Sequence, residues 1–439
     1  MGGSDPFARS AMRKAIGIVF AGGRVEDLSV LTERRPKAAV VFGGIYRTID
    51  FAMTNLARAG IDHVGILTQY RPSPLMDHVG TGSAWDLVGA TRAVRFLPPY
   101  LGIGSSEWYR GPADALYQNL DFIERLAPDD VLAVSGDHVY AMDYRPLLDY
   151  HAEQDADLTM AFVERANDAH RFGIGELNDA GQVVAFSEKP RQPRSHLASM
   201  SVYVFRRAVL IEELRRAERG LDGTATHQIH EVLRRMMPRR RVYGWVYHGD
   251  WAYTRTLDEY HAFHRRLLGE PPAIDLAAWQ VRSNTLARRA APPPPARCLP
   301  GACVENSLLA PGCVVRGTVR DSVLSPGVVV GAGAEVVDSI LWDNVVVEPG
   351  ASLRGVISDK RVVFGRDCRA GEGEIRPSEE MPASLTGGSV VVGMDVRIPP
   401  GARIGRNCIV HPDTPESALA APLNSGASVR PSGRAGGGR

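Results

Sequence analysis

The run Ser135-Gly136-Asp137-His138 closes a strongly apolar stretch that begins at Asp130. A carboxylate placed after a glycine at the end of a buried strand can hold Mg²⁺ against phosphate oxygens, because that ion takes one or two carboxylates and completes its shell with phosphate and water. Asp137 is the candidate metal carboxylate; the alternative is an aspartate that caps the next turn. Gly22-Gly23 follow another apolar run, Ala15 to Phe20. Without side chains they let backbone N–H groups approach a phosphate, although tight turns after strands use glycine as well. Glu188-Lys189-Pro190 follows the apolar stretch Val183 to Phe186. There a carboxylate can accept hydroxyl hydrogen bonds while the ammonium pairs with a phosphate. Pro190 predicts extended backbone at Lys189, which favours a fixed site over a solvated surface pair. Gly111, after Trp108-Tyr109-Arg110, opens a helical pattern and can admit a flat ring and a phosphate at a helix start; plain packing of Trp108 and Tyr109 explains the segment equally well. His227 and His230 lie three apart among apolar neighbours, which suits a core or capping role better than a metal pair.

These residues need a scaffold that brings strand ends together. Ala15 to Phe20, His63 to Thr68, Asp130 to Ser135 and Asp157 to Val163 read as buried strands. Helical patterns at Asp50 to Ala59 and Ala113 to Leu126 alternate with them. The alternation predicts an α/β domain with a mixed, mostly parallel sheet, and ligands in such sheets sit beyond the carboxyl ends of the strands. Near residue 270 the composition shifts. Four consecutive prolines, Pro292 to Pro295, predict a stiff linker. Beyond it, Val328-Val329-Val330-Gly331 recurs as Val345-Val346-Val347-Glu348 and as Val362-Val363-Phe364-Gly365, a step of 17 residues each time. Three short strands per coil use about 17 or 18 residues, so the step predicts a parallel β-helix rather than an antiparallel sandwich. The expected domains are a leader or tag at 1–12 with a start at Met12, an α/β domain at 13–272, a Pro-rich linker at 273–300, a β-helix at 301–411 and a disordered tail at 412–439.

Of 439 residues, 51 are basic and 50 acidic, a net charge of +1 that gives no reason to propose nucleic acid or a membrane as partner. The five cysteines, Cys298, Cys303, Cys313, Cys368 and Cys408, show no CxxC pair, and their odd number predicts reduced thiols in a cytoplasmic protein. No apolar run reaches the roughly 20 residues of a membrane-spanning helix.

Taken together, the segments resemble ADP-glucose pyrophosphorylases (glucose-1-phosphate adenylyltransferases). The resemblance runs from about Ala15 to about Gly371. It rests on AGGR at 21–24, LTERRPKAAVVFGG at 31–44, YRTIDFAMTN at 46–55, GILTQYRPSPLMDHVGTG at 65–82, WYRGPADALYQN at 108–119, SGDHVYAMDY at 135–144, RFGIGEL at 171–177, FSEKP at 186–190 and LASMSVYVF at 197–205. It implies a Rossmann-like (GT-A-like) nucleotidyltransferase domain, a left-handed β-helix, ATP and glucose 1-phosphate as substrates, Mg²⁺ as cofactor, and a homotetramer or a hetero-oligomer with a paralogue. Carried over by position, Tyr109, Gly173, Glu188, Lys189 and Ser199 are implied on the sugar-phosphate side. Gly22, Gly23, Lys37, Gln69 and Gly111 are implied on the nucleotide side, Lys37, Asp137 and Lys189 as catalytic, and Asp137 as metal ligand. Arg34, Arg35 and Arg47 match positions where the family binds phosphorylated effectors.

The departures from the family pattern cluster. The family's first loop reads Gly-Gly-x-Gly-x-Arg-Leu, whereas this chain has Val25 for the third glycine and Asp27 for the arginine. The later family pattern Trp-x-Asp-x-Gly-Thr becomes Trp251-Ala252-Tyr253-Thr254-Arg255-Thr256, with Tyr253 for the second metal carboxylate. Smaller changes are Pro112 for Thr and Ser201 for Gly. Valine resists positive φ, and an aspartate beside a triphosphate costs up to about 4 kcal/mol at 4 Å and an effective dielectric of 20. Val25, Asp27 and Tyr253 therefore predict weakened catalysis in an adenylyltransferase of glycogen or α-glucan synthesis. The alternative is a catalytically impaired regulatory subunit that binds sugar phosphate or effector beside an active paralogue. An acyltransferase on the β-helix is the third reading; it lacks a catalytic-looking histidine between Gly301 and Arg406.

Overall fold

A computed structural model describes residues 13–100, 108–287 and 291–431; the expected leader at 1–12 and the end of the expected tail lie outside them. The chain forms two compact units, one of residues up to 23 with 51–69 and 81–251, the other of 24–50, 70–80 and 252 onward.

In the first unit the strands are β1 Ala15–Phe20, β2 His63–Leu67, β3 Ala93–Leu97, β4 Asp130–Ser135, β5 Leu158–Glu164, β6 Gly173–Leu177, β7 Val183–Glu188, β8 Leu197–Arg206 and β9 Val242–Tyr247. They form one mixed sheet in the order β7-β6-β8-β4-β1-β2-β3, with β5 pairing β8 and β9. Strands β3, β2, β1 and β4 run parallel, and β8 runs antiparallel to β4. Strands β1, β2 and β4 are short, largely buried apolar runs, as parallel strands covered on both faces are, whereas β3 at the sheet edge is only partly buried. The apolar segment 113–126 is not one helix: α1 Pro112–Gln118 and α2 Leu120–Leu126 meet at Asn119, whose Nδ2 donates to the Ala115 carbonyl. A side-chain amide competing for backbone groups is a reason for such a break. Together the strands and helices bury Ile16, Ile18, Leu116, Val131, Met160 and Phe205 in one core.

The second unit is built on a left-handed parallel β-helix. Val329 pairs with Val346 and Val346 with Val363 on one wall, and Val319, Val336 and Leu353 stack on the next. The register step is the 17 residues read from the sequence. Inward residues Val330, Val347 and Phe364 are fully buried, each contributing about 1.5–3 kcal/mol of burial. Corners take residues with positive φ, such as Asp321 and Asp338 on one edge and Gly327 and Asn344 on another, where Gly, Asn and Asp are least strained. Cys313, Cys368 and Cys408 fill the coil core, and no cysteine is bridged.

Two expectations are corrected here. Paired strands begin inside the expected linker, at Arg297–Cys298, and continue into the expected disordered tail, where Ser428–Val429 pairs with Ile409–Val410. The first coil keeps the step, Arg297 pairing with Val314, but lies before the repeats read from the sequence; the last coils fall out of the 17-residue phase after an excursion at 371–389 that separates Val356–Ser358 from its partner Val390–Val392. The compact units also differ from the expected boundary at 272. Segments 24–50 and 252–265 join the β-helix because Leu28, Leu31, Val40, Val41, Leu257 and Tyr260 share a core with its outward Ile340, Ile357, Val391 and Ile409.

Candidate functional site

Parallel pairing sets Phe20 beside both Ser135 and Leu67. The residues that follow these strand ends, Gly22-Gly23, Gln69 and Asp137, therefore emerge on neighbouring strands at the carboxyl edge. A Cβ on Gly22 would lie 3.0 Å from the Gln69 nitrogen, so Gly22 is a close-packing glycine, whereas a Cβ on Gly23 would meet nothing within 4 Å. Gly23 alone leaves open backbone for a ligand. Gln69 is a clamp: its Oε1 accepts the Tyr109 N–H at 2.6 Å and its Nε2 donates to the Tyr109 carbonyl at 3.3 Å. The Tyr109 hydroxyl donates to the Leu97 carbonyl at 3.0 Å and accepts from Asn119 at 2.8 Å. Burial pushes its pKa up to about 12, so the hydroxyl stays protonated.

The open helix start expected at Gly111 is corrected. The N–H groups of Ala113 and Asp114 donate to the His227 carbonyl at 3.0 and 3.4 Å, and a Cβ on Gly111 would collide with that same carbonyl. Gly111 thus serves the packing of α1, and the first-turn donors are already used. The acidic group Asp114, Glu218 and His227 is close enough to suggest a metal, but Arg110 Nη2 bonds both carboxylates, at 2.9 and 3.0 Å, and a guanidinium there does a cation's work.

Asp137 accepts from the Ser135 hydroxyl and lies 3.4 Å from His138 Nε2, while His138 Nδ1 meets the Met200 carbonyl at 3.1 Å. One half-buried carboxylate at a strand end fits a cation that takes most of its ligands from phosphates.

Glu188 pairs with Gly173 across β7 and β6, and β6 pairs in turn with β8 at Ala198, next to Ser199. Gly173, Glu188, Lys189 and Ser199 are thereby brought together. The Lys189 ammonium lies 3.4 Å from Glu188, half exposed. The extended geometry expected before Pro190 is absent: Lys189 has φ 45°, its N–H bound to the Phe172 carbonyl at 3.0 Å. Strain of about 1–3 kcal/mol in a non-glycine residue of this kind is typical of functional positions. Ser201 also has positive φ, 53°, at a register shift in β8, which explains the glycine of the family pattern.

In the second unit, Lys37 is 1 % exposed and its ammonium sits 3.8 Å from the centre of the Tyr253 ring. Val25 has an extended φ of −118°, and the chain turns at Ser29 (φ 46°). The rebuilt loop therefore does not require the glycine that Val25 replaces. Asp27 is paired with Arg255, Nε to Oδ2 at 3.2 Å. A cavity of about 1600 Å³ is lined by Arg24, Arg34, Arg47, Lys360 and Arg361 among others. Arg34 bonds Asp413, and Arg47 lies 3.4 Å from Asp343. Burial first, then the neighbouring Arg47 cation, lower the Lys360 pKa to about 8. Arg35 also borders this cavity, but it is 3 % exposed and makes two bonds to buried Asp359, at 2.7 and 3.0 Å, and a third to the Leu31 carbonyl. Lys360 and Asp359 were missed because they fall in the repeat as ordinary corner residues; only their charge within an apolar phase marks them.

The sheet and its carboxyl-edge site define a nucleotidyltransferase with an appended β-helix. Residues 16–270 match the nucleotidyl transferase family and 294–392 the GlmU-like C-terminal hexapeptide family. Proteins named glucose-1-phosphate adenylyltransferase are similar over nearly the full length. That of Thermomicrobium roseum is 42% identical over 422 residues, 94% of this chain and 97% of the relative. That of Pseudothermotoga lettingae is 37% identical over 91% and 94%, and that of Acetivibrio thermocellus 36% over 91% and 93%. The chain belongs to the glucose-1-phosphate adenylyltransferase family.

Proposed function

We propose that the chain joins ATP and glucose 1-phosphate to give ADP-glucose and pyrophosphate, in the cytoplasm, for glycogen or α-glucan synthesis. The observation that carries this reading is the convergence of Gly173, Glu188, Lys189 and Ser199 at adjoining ends of β6, β7 and β8, in a chain whose relatives bear that activity in their names. Glu188 accepts from sugar hydroxyls, and Lys189 pairs with the sugar phosphate. A phosphate oxygen of the sugar attacks the α-phosphorus. The bond from that phosphorus to the bridging oxygen breaks, and pyrophosphate leaves with the electron pair. Such transfer needs positioning and charge neutralisation rather than a protein nucleophile. The open backbone at Gly23 serves the nucleotide, and Gln69 holds Tyr109 in place; a catalytic role for Lys37 rests on the family pattern. Mg²⁺, when held by Asp137 and phosphate oxygens, neutralises charge on the phosphates.

A phosphorylated effector suits the cavity of Arg34, Arg47, Lys360 and Arg361, where an anion would compete with Asp413, Asp343 and Asp395 for clustered cations. The β-helix walls suit assembly, as a homotetramer or with a paralogue. Unbridged cysteines support a reducing compartment. Pyrophosphate release with ATP and glucose 1-phosphate, with and without a co-expressed paralogue, tests the activity. Release at about 1 s⁻¹ or more by the chain alone is expected of an ordinary enzyme, and no release in either case refutes it.

A further inference from the structure

Two of the three departures that weaken the nucleotide side are partners of other residues in the second unit. Asp27 holds Arg255, and Tyr253 lies under Lys37. Tyr253 and Arg255 are two apart with Thr254 between them, 1 % exposed. Alternate residues of this short segment thus reach the 24–37 stretch at two points. In the family pattern positions 27, 253 and 255 are Arg, Asp and Gly. Here they are Asp, Tyr and Arg. The net charge over the three positions is zero in both, while the cation has moved from position 27 to position 255. Random loss of function has no reason to keep that balance.

We infer that Arg255 is a phosphate-binding residue that supplies the guanidinium absent from position 27, with Asp27 as its orienting carboxylate. The inference rests on the adenylyltransferase reading for its substrate, a nucleoside triphosphate and the pyrophosphate it releases. Arg255 is built for the task. Its backbone N–H donates to Glu259 at 2.8 Å, and Thr256 and Glu259 form a reciprocal capping box at the start of helix α3, Leu257–Arg265. The backbone below the guanidinium is therefore fixed. Only Nε is spent on Asp27, and neither Nη group donates a hydrogen bond to a described residue. Arg255 is 38 % exposed and Asp27 41 % at the side chain, so the outer fork faces solvent, where it matches the two oxygens of a phosphate. A carboxylate on Nε and an anion on the two Nη atoms can be held at once. Asp27 then anchors a phosphate-binding cation instead of standing unpaired against the triphosphate.

The test is calorimetric titration of the full chain with ATP and, separately, with inorganic pyrophosphate in Mg²⁺ buffer, for wild type, Arg255→Gln and Arg255→Lys. Arg255→Gln should weaken both about 10- to 100-fold and change glucose 1-phosphate affinity less than about twofold. Arg255→Lys, which keeps the charge and loses the fork, should recover part of the loss. ATP and pyrophosphate affinities of Arg255→Gln within about twofold of wild type would mean that Asp27–Arg255 is only a surface ion pair, and would overturn the assignment. Loss of glucose 1-phosphate affinity in equal measure would overturn it too. Pyrophosphate binding that depends on Arg255 in a chain that makes no ADP-glucose would uphold the assignment and refute the activity. A wild type that binds neither ATP nor pyrophosphate refutes both.

Discussion

Replacing Asp359 by alanine should cost the second unit more stability than any exposed substitution, and the reason is geometric. Asp359 is 1 % exposed and Arg35 3 %. The carboxylate takes two of the guanidinium's hydrogen bonds, and the Arg35 fork also lies 5.0 Å from the Trp342 ring centre. Trp342 Nε1 donates to Tyr260 Oη at 3.0 Å, and Tyr260 Oη donates to the Val41 carbonyl at 2.6 Å. Removing the carboxylate leaves a buried cation with the Leu31 carbonyl as its remaining hydrogen-bond acceptor among the described residues, beside the Trp342 ring. Breaking one side of such a pair costs about 3–5 kcal/mol. For a folding unit of roughly 200 residues, each kcal/mol lowers the melting temperature by about 2–4 °C, so a drop of about 6–20 °C follows. Differential scanning calorimetry on Asp359→Ala measures it. Asp359→Ala with Arg35→Met removes both charges and should recover most of the loss, since an apolar pair of similar volume often matches a buried ion pair. A melting temperature of Asp359→Ala within about 2 °C of wild type, below the shift that even 3 kcal/mol implies, would refute the argument and return Arg35 to the effector contacts.

The same reasoning gives further expectations. Lys189→Ala should weaken glucose 1-phosphate binding by about 1.5–3 kcal/mol, the worth of a charge-assisted contact; equal calorimetric affinities would remove Lys189 from the site. Anion binding in the basic cavity should weaken as pH rises through about 8, because Lys360 is charged below its lowered pKa and neutral above it; a phosphate titration that is flat from pH 7 to 9 in wild type, or one that persists unchanged in Lys360→Met, would count against this. Ending the chain at Pro271 should leave Leu28, Leu31, Val40 and Val41 without Ile340, Ile357, Val391 and Ile409, and the product should aggregate; a monodisperse truncated chain by light scattering would contradict it.

How much of this was legible beforehand depends on the range of the interaction. The strands around Phe20, Leu67 and Ser135 announce themselves through short apolar runs, and the β-helix through its 17-residue step, since both signals are local or periodic. What a glycine is for is not local. Gly22, Gly23 and Gly111 look alike in sequence, yet Gly22 and Gly111 yield to neighbours from Gln69 and His227, and only Gly23 faces open space. Lys189 shows the same limit. Pro190 favours an extended predecessor, but the bond to the Phe172 carbonyl overrides it.

Charge is hardest to read one position at a time. Taken singly, Asp27 is a reversed charge, Tyr253 a lost ligand and Arg255 an unneeded cation. Each is explained by another position: Asp27 by Arg255 and Tyr253 by Lys37. Arg35 matches a family anion contact by position, but its guanidinium is bound to buried Asp359, 324 residues away. A single sequence shows residue types and spacing, and for charges the type is only half of the statement. A guanidinium beside a buried carboxylate holds the fold, whereas one tethered only at Nε with its fork in solvent can meet a phosphate. Arg35 and Arg255 differ in burial and in how many of their donors are spent, and on that difference the first is expected to serve stability and the second a phosphate.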